Sequence, residues 1–236
     1  MEALYLDDSY MNEFEAEIKS VDRERFVVLD KSGFYPDGGG QPHDTGKMIR
    51  LQDNEEFPVE YVRKSGGNIS HEVTKPGLKT GDKVRCLIDW GRRYTLMRYH
   101  TAAHLISAVF HKDAQARITG NQLGLDHSRI DFNLENFDRE KMDEYFSIAN
   151  SIIDEDLPVS VSYMEREEAE KDSSLFKLVK ALPESIKKLR IVSIGEYDRQ
   201  ADGGTHVKSL KEVGKIRFSK ADNKGKNNRR VYFSLD

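Results

Sequence analysis

Residues 94–110 read YTLMRYHTAAHLISAVF, and apolar side chains recur in this stretch at the spacing of an α-helix. The apolar positions are Leu96, Tyr99, Ala103, Ile106 and Phe110. We therefore predict a helix with one buried face. His100 and His104 stand four residues apart in the same stretch, so both side chains leave the helix in nearly the same direction. Such a pair can chelate one metal ion, although a chance pair of one buried and one solvated histidine is the commoner explanation.

The metal interpretation is strengthened by a second motif, Ala201-Asp202-Gly203-Gly204-Thr205-His206-Val207. The paired glycines permit a tight turn, so a loop can present Asp202 and His206 together. Three histidines and a carboxylate satisfy the ligand chemistry of zinc. Because a carboxylate is a harder ligand than a thiolate, iron, manganese and nickel stay open as alternatives. We predict that His100, His104, Asp202 and His206 share one metal ion.

Residues 10–88, which precede this helix, carry the pattern of a β domain. Phe14, Ala16 and Ile18 alternate with charged residues, as in a half-buried strand. Further short strands are predicted at residues 26–29, 59–62 and 83–87. Residues 32–46 are rich in glycine and proline and are predicted to form a loop. Short strands at this spacing predict a small barrel.

From Trp90 onward, predicted helices alternate with predicted strands. Two more helices are expected, over residues 139–154 and 165–171. The expected strands cover residues 129–134, 158–163, 189–194, 213–218 and 230–233. The fold class is therefore α+β: a small N-terminal β-barrel over residues 1–89, followed by a two-layer α/β domain over residues 90–236.

The amino-acid composition indicates in which cellular compartment the protein is expected. None of the apolar runs in the 236 residues approaches the length of a membrane span, and the N-terminus lacks the features of a secretory signal. Cys86 is the single cysteine, so no internal disulfide can form, and it is expected to be a buried small hydrophobe. These features lead us to expect a cytoplasmic protein, and a monomer is favoured.

The distribution of charge bears on the partner. A formal net charge of −4 does not favour nucleic-acid binding, which normally needs a positive field. From Lys208 onward, however, nine basic residues face only three acidic ones. This cluster is either an ordinary solvated face or, since it lies beside His206, a surface for a polyanion that reaches the metal. Arg92 and Arg93 at the start of the helix could contact phosphates or instead form salt bridges.

Other residues have both a functional and an ordinary interpretation. Glycines at positions 38–40 could let the backbone approach a ligand closely, although a hairpin turn is the better explanation from sequence alone. Thr101 and Thr205 flank metal ligands and could hydrogen-bond to them or to a substrate. The other histidines, His43, His71, His111 and His127, are expected at the surface.

Taken together, the motifs resemble a known family. HTAAH over residues 100–104 and DGGTHV over residues 202–207 resemble the two zinc motifs of the editing domain of alanyl-tRNA synthetase and of its free-standing relatives, the AlaX proteins. FYPDGGGQ over residues 34–41 resembles the glycine-rich segment of that family, and RIDF over residues 129–132 resembles its R-x-D-F strand. These ordered motifs cover roughly residues 30 to 220, and the chain ends soon after them, as in the medium-length class of the family.

The resemblance implies a set of site residues. Zinc would be held by His100, His104, Asp202 and His206, although the family usually has cysteine where this chain has Asp202. Asp202 could bind directly, or three histidines and a water could complete the site. The resemblance further implies substrate binding by Gly39, Gly40, Gln41, Thr101, Asn121, Gln122 and Thr205, with tRNA contacts at Arg92, Arg93 and Lys208. Asn121 and Gln122 could equally lie in a solvent-facing turn.

The resemblance also implies an activity. A trans-editing hydrolase would cleave serine or glycine from mischarged alanine tRNA. The alternative is a non-catalytic, metal-stabilised tRNA-binding module, although structural zinc sites are normally rich in cysteine. A hydrolase of small esters or amides would not need the basic C-terminal stretch. The catalytic group is not identified by the sequence.

Overall fold

The computed structural model describes residues 1–135, 138–179 and 186–236. The chain divides into two compact units, Met1–Leu96 and Met97–Asp236. The predicted α+β class is confirmed, because a closed barrel, three further sheets and helices are all present among the described residues. The domain limits 1–89 and 90–236 stay a prediction. Among the described residues, no helix is both long and apolar enough to cross a membrane.

Strands dominate the first unit, all of whose residues the structure describes. They are β1 (Glu2–Ala3), β2 (Glu13–Asp22), β3 (Phe26–Leu29), β4 (Lys31–Ser32), β5 (Gly46–Arg50), β6 (Glu56–Ser65), β7 (Asn68–Val73) and β8 (Lys83–Ile88). Six of these close into a barrel in the order β2-β3-β7-β6-β5-β8, and β1 pairs with β4 in parallel. The small barrel predicted from the short strands is therefore confirmed.

The barrel core follows from the alternation of side chains along its strands. Phe14 and Ala16 of β2 stand opposite Cys86 and Val84 of β8, and all four side chains are buried. A buried side chain the size of Val84 or Phe14 contributes roughly 1.5–3 kcal/mol, so the inward rows supply much of the stability of this unit. The expectation that Cys86 is a buried hydrophobe is confirmed, and burial raises the pKa of its thiol.

His71 was expected at the surface, but the structure places it in the interior. It lies on β7, which was not predicted, and its side chain is fully buried. Its Nδ1 donates to the carbonyl of Val27 at 2.9 Å, and the Ser32 hydroxyl lies 2.8 Å from Nε2. Because a carbonyl can only accept, Nδ1 carries the proton and the Ser32 hydroxyl donates to Nε2. The prediction of a surface histidine at this position is wrong, since the strand turns the ring inward.

The second unit contains the remaining strands and most of the helical residues. The helices are α1 (Trp90–Ala114), which begins in the first unit, α2 (Arg139–Asp154) and α3 (Arg166–Ala169). The strands are β9 (Ile118–Gln122), β10 (Ser128–Phe132), β11 (Val159–Glu165), β12 (Lys188–Ile194), β13 (Asp198–Ala201), β14 (Ile216–Asn223) and β15 (Arg229–Leu235). They form a four-stranded sheet, ordered β14-β15-β10-β9, and a three-stranded sheet, ordered β11-β12-β13.

Aromatic side chains form part of the packing in the second unit. Phe110 of α1 stacks on Phe132 of β10 with ring centroids 4.4 Å apart and planes 7° from parallel. Tyr145 of α2 lies 4.8 Å from Phe110, and Phe146 lies 5.4 Å from Phe218 of β14. The helices therefore pack on the face of the four-stranded sheet that carries the buried apolar residues.

The bounds of α2 agree with the predicted helix, and Asp138 caps it by accepting from the backbone N–H of Glu140 at 3.0 Å. Helix α1 is longer than predicted at both ends. The strand predicted over residues 213–218 begins only at Ile216, because residues 210–213 form a 3-10 turn. Strands β9 and β13 were not predicted, since neither has the apolar alternation that identified the others.

Candidate metal centre

Helix α1 brings His100 and His104 together on one face. Their ring centroids are 5.1 Å apart, and both side chains are buried. Nδ1 of His104 is buried without a hydrogen-bond partner among the described residues. A histidine that binds a metal ion through Nε2 normally donates from Nδ1 to a neighbouring acceptor, and the described residues supply none here.

The end of β13 and the following loop supply the other two side chains. The N–H of Asp202 donates to the carbonyl of Arg190 at 3.0 Å, which fixes the backbone where β13 ends. The Oδ2 atom of Asp202 accepts from the N–H of Gly204 at 2.5 Å. His206 follows four residues after Asp202 and is buried. The loop thus turns back on its own carboxylate and directs Asp202 and His206 towards the same point.

The four side chains form a compact donor set. Nε2 of His100, His104 and His206 lies 3.6, 4.0 and 3.1 Å from the nearer oxygen of Asp202. One ligand atom from each of the four residues lies within 4.8 Å of all the others. A tetrahedral ion with bonds of about 2.0–2.1 Å holds its ligand atoms about 3.3 Å apart. The cluster could therefore bind a metal ion after small adjustments of the side chains.

Gly204 allows the backbone of the loop to lie against the ring of His100. A Cβ atom at position 204 would lie 2.1 Å from Cε1 and 2.3 Å from Nδ1 of His100. The same atom would lie 3.0 Å from Oδ2 of Asp202. The backbone of the loop therefore contacts the imidazole at a distance that only glycine allows.

Thr101 positions the ring of His206. Its Oγ1 lies 3.1 Å from Nδ1 of His206 and accepts from the N–H of Val207 at 3.3 Å. When Nε2 of His206 binds a cation, Nδ1 carries the proton and donates to this hydroxyl. Thr205 is also fully buried. Both threonines predicted to flank the ligands therefore lie in the interior, and Thr101 contacts one ligand directly.

A network of buried polar side chains contacts the backbone of His104. The sequence did not predict this network. Nε2 of Gln200 donates to the carbonyl of His104 at 3.2 Å, to Ser107 Oγ at 3.0 Å and to Asp198 Oδ2 at 2.7 Å. Lys177 donates to the other oxygen of Asp198 at 2.5 Å, and this ion pair is almost fully buried. The sequence signal for this network is the pair of polar residues at positions 198 and 200, which alternate along the strand that ends just before Asp202.

Burial sets the ionisation of the cluster. It lowers the pKa of His100, lowers that of His104 to about 4 and lowers that of His206 well below its ordinary value. Burial alone would raise the pKa of Asp202, but His100, His206 and His104 outweigh this effect and hold it well below the usual range. Near pH 7 the rings are therefore neutral and the carboxylate is ionised, which are the forms that bind metal ions.

The glycine-rich segment, in the first unit, forms a tight hairpin. Gly38 and Gln41 exchange backbone hydrogen bonds of 3.2 and 3.0 Å. Gly39 and Gly40 have φ values of 61° and 85°, which is the left-handed region that such a two-residue turn requires. Gln41 is fully buried. The ordinary hairpin interpretation describes this geometry, and a role of these residues in substrate binding stays a prediction.

Asn121 and Gln122 lie on strand β9, not in a turn. They stand opposite Ile130 and Arg129 of β10, and Gln122 accepts from Nε of Arg129 at 3.2 Å. The alternative of a solvent-facing turn is therefore wrong. Their predicted role in substrate binding stays a prediction.

The three residues predicted to contact tRNA differ in exposure. Lys208 is exposed, and Arg92 is half-buried with Nε donating to the carbonyl of His43 at 2.9 Å. Arg93 has no exposed surface. Its guanidinium pairs with Asp44 and donates to the carbonyls of Gly33 and Ser9 at 2.6 and 3.0 Å. Arg93 is therefore corrected to a structural residue, because all three nitrogens of its buried guanidinium donate to Asp44, Ser9 and Gly33.

Comparisons with known proteins agree with this architecture. The family described as tRNA synthetases class II (A) matches residues 3–92. The family described as threonyl and alanyl tRNA synthetase second additional domain matches residues 189–232, which include the loop with Asp202 and His206.

Individual relatives extend over the whole chain. It is 53% identical to the alanyl-tRNA editing protein AlaX-M of Methanosarcina barkeri, over 99% of this chain and 98% of that protein. It is 40% identical to AlaX-M of Saccharolobus solfataricus, with the same coverage of 99% and 98%. The alanine–tRNA ligase of Pyrococcus abyssi is 37% identical over 93% of this chain, which corresponds to 24% of the ligase. The chain therefore belongs to the AlaX-M family of alanyl-tRNA editing proteins.

Proposed function

We propose that the protein is a trans-editing deacylase, which hydrolyses the ester between a wrong amino acid and the terminal ribose of alanine tRNA. The observation that carries this proposal is the buried cluster of His100, His104, Asp202 and His206 in a chain that matches editing proteins over its full length. The expected substrates are seryl-tRNA and glycyl-tRNA of the alanine type. The domains are proposed to be a barrel over residues 1–89 and an editing domain over residues 90–236.

Zinc is the proposed cofactor, because three imidazoles and one carboxylate suit its ligand chemistry. Bound there, zinc would supply a Lewis acid next to the substrate. The chain's own contribution is to hold the ligands: α1 fixes two histidines, the Gly204 turn fixes Asp202, and Thr101 orients His206. The catalytic group stays unassigned.

Selection of the amino acid is proposed to depend on polar groups near the ligands. A group that hydrogen-bonds the hydroxyl of a seryl substrate would be left unpaired by an alanyl substrate, and that loss can be a large penalty. Thr101 and Thr205 are proposed for this role because both are buried beside the ligands in sequence. The other proposed substrate-binding residues are Gly39, Gly40, Gln41, Asn121 and Gln122.

The proposed partner is tRNA, contacted by Arg92 and Lys208. A monomeric state and a cytoplasmic location are proposed as well. Both rest on the composition of the chain and on the chemistry of its substrate, which is a soluble component of translation.

A non-catalytic tRNA-binding module is the second candidate, and one observation favours it. The side chains of His100, His104 and His206 expose no more than 8% of their surface, and that of Asp202 exposes 16%. Four protein side chains could fill all four coordination positions, as in structural zinc sites, whereas catalytic sites keep a position open for water or substrate.

The test is deacylation of seryl-, glycyl- and alanyl-tRNA of the alanine type by the purified protein, with zinc at one equivalent. We expect loss of serine and glycine with alanine spared. His104→Ala should abolish hydrolysis while the circular dichroism spectrum is kept. His111→Ala, at a half-buried histidine of the same helix outside the cluster, is the matched control and should leave the rate unchanged. If none of the three esters is cleaved, the deacylase proposal fails. If His104→Ala instead unfolds the protein, the second candidate is favoured.

A further inference from the structure

The exposed face of the four-stranded sheet carries one polar or aromatic residue from each strand in a single row. Arg129 of β10 stands opposite Gln122 of β9 on one side and Tyr232 of β15 on the other. Tyr232 in turn stands opposite Lys220 of β14. We call these four residues the cross-strand row. Because side chains alternate along a strand, the row lies on the face opposite the buried Ile130.

The members of the row are held by contacts with one another and with Asp131. Nε of Arg129 donates to Gln122 at 3.2 Å, and its Nη1 lies 3.1 Å from Asp131. Nζ of Lys220 lies 4.6 Å from the centroid of the Tyr232 ring. An aromatic ring therefore lies between a guanidinium and an ammonium group that are both positioned by neighbours.

A pocket opens beside this row. It has a volume of about 340 Å³ and is lined by Gln122, Arg129, Tyr232 and the loop at residues 123–127. This volume is at the small end of ligand pockets, which span roughly 300–1,000 Å³. The loop contributes the exposed side chains of Leu125, Asp126 and His127. The lining thus offers an aromatic face, an apolar contact and hydrogen-bonding groups at its edge.

The surrounding charge indicates what the pocket would accept. Residues 215–236 include seven basic and two acidic residues. Four of the basic residues form ion pairs with Asp131, Asp222 or Asp236, namely Arg217, Lys220, Lys224 and Arg230. Tyr232 is half-buried, so part of its ring is accessible. Single-stranded nucleic acid binds to cations beside an accessible aromatic ring, because bases stack on the ring and phosphates contact the cations.

We propose that the cross-strand row is an RNA-binding site, in which an unpaired base stacks on Tyr232 and the adjoining phosphate meets Lys220. This inference deepens the proposed function, since tRNA is the RNA that the proposed reaction brings to the protein. It adds a binding surface that does not depend on the metal ligands.

The test is the affinity of the full-length protein for a short fluorescein-labelled single-stranded RNA, measured by fluorescence anisotropy. Tyr232→Ala should weaken binding roughly 5- to 100-fold, which is the range found when one stacking aromatic is removed. Tyr232→Phe should bind like the wild type, because the ring is kept. Lys220→Gln should reduce the slope of log affinity against log salt by about 0.7, as expected for one lost cation on a single strand.

Tyr163→Ala is the matched control. Tyr163 is an exposed tyrosine of β11, and Nζ of Lys188 lies 5.5 Å from the centroid of its ring. It is therefore a second tyrosine–lysine pair, and it lies outside the cross-strand row. Its removal should leave RNA affinity unchanged. Melting temperatures would verify that each variant is folded.

Three results would overturn the proposal: no RNA binding by the wild type, full affinity in Tyr232→Ala, or an equal loss in Tyr163→Ala. The RNA carries no aminoacyl ester, so the outcome is independent of deacylation. An inactive protein that binds RNA through Tyr232 would overturn the proposed function and leave the binding site standing.

Discussion

The α-carbon of Gly204 faces the imidazole of His100, and a Cβ atom at that position would lie 2.1 Å from the ring. Its neighbour Gly203 is different, because a Cβ atom there would meet no heavy atom within 4 Å. Two adjacent glycines in one loop therefore have opposite tolerance for a side chain. Substitutions at the two positions can therefore separate the effect of loop flexibility from the effect of direct contact with His100.

Gly204→Ala is expected to weaken zinc binding strongly, because the added methyl group must displace either His100 or the loop that holds Asp202. Gly203→Ala should bind zinc like the wild type. Competition with a chromophoric chelator measures both affinities. Equal affinities in the two variants would show that the contact with His100 has no role in metal binding.

Asp202→Asn is expected to lower zinc affinity by more than about 100-fold, which exceeds the usual loss when only an outer hydrogen-bond partner of a ligand is removed. The amide keeps the shape of the side chain and removes its charge. Asp222→Asn, at a carboxylate paired with Lys220 at 3.6 Å, is the control and should have no effect. An unchanged affinity in Asp202→Asn would indicate that the three histidines bind zinc without the carboxylate.

Asp44→Ala is expected to reduce the free energy of unfolding by about 3–5 kcal/mol, because it leaves the fully buried guanidinium of Arg93 without its counter-charge. Glu56→Ala breaks a comparable pair with Lys47 at the surface, where the side chains are 53% and 38% exposed. That control should cost no more than about 1 kcal/mol. Urea unfolding measures both. A loss in Asp44→Ala no larger than in the control would contradict the structural role given to Arg93.

His71 is expected to make the protein less stable in acid. Burial lowers the pKa of this ring from 6.5 to about 4 in the folded protein, so the unfolded chain binds the proton first as the pH falls. Stability should therefore decrease between about pH 6.5 and pH 4, by up to about 3 kcal/mol from this group. The readout is urea unfolding at several pH values for the wild type and for His71→Gln.

The difference between those two curves isolates His71 from the other titrating groups. In His71→Gln the dependence on pH should be shallower over this interval, whatever the stability of the variant at pH 7. Parallel curves would mean that His71 is protonated in the folded protein at its ordinary pKa.

Local patterns in the sequence were sufficient to predict the features that depend on short segments of the chain. Helix α2 has a complete apolar face and a capping Asp138, so both of its ends were predicted. The cluster of His100, His104, Asp202 and His206 was also predicted, since it depends on helical spacing and one glycine turn. The small barrel followed from its short alternating strands.

The features that were not predicted depend on contacts between residues that lie far apart in the sequence. Strand β7 has no regular alternation, and the direction of His71 is fixed only by its pairing with strands β3 and β6. Arg93 looks like a surface residue in the sequence, because its partner Asp44 lies 49 residues earlier. The network of Lys177, Asp198 and Gln200 likewise joins segments that only the folded chain brings together.

The metal cluster joins α1 to a loop near the C-terminal end of the chain. An ion bound by both segments would act as a cross-link and would close a long loop of the polypeptide, as a disulfide does elsewhere. This chain has a single cysteine and cannot form an internal disulfide. The ion would thus restrict the unfolded ensemble, and the resistance of the second unit to heat would then depend on how much free zinc surrounds the protein.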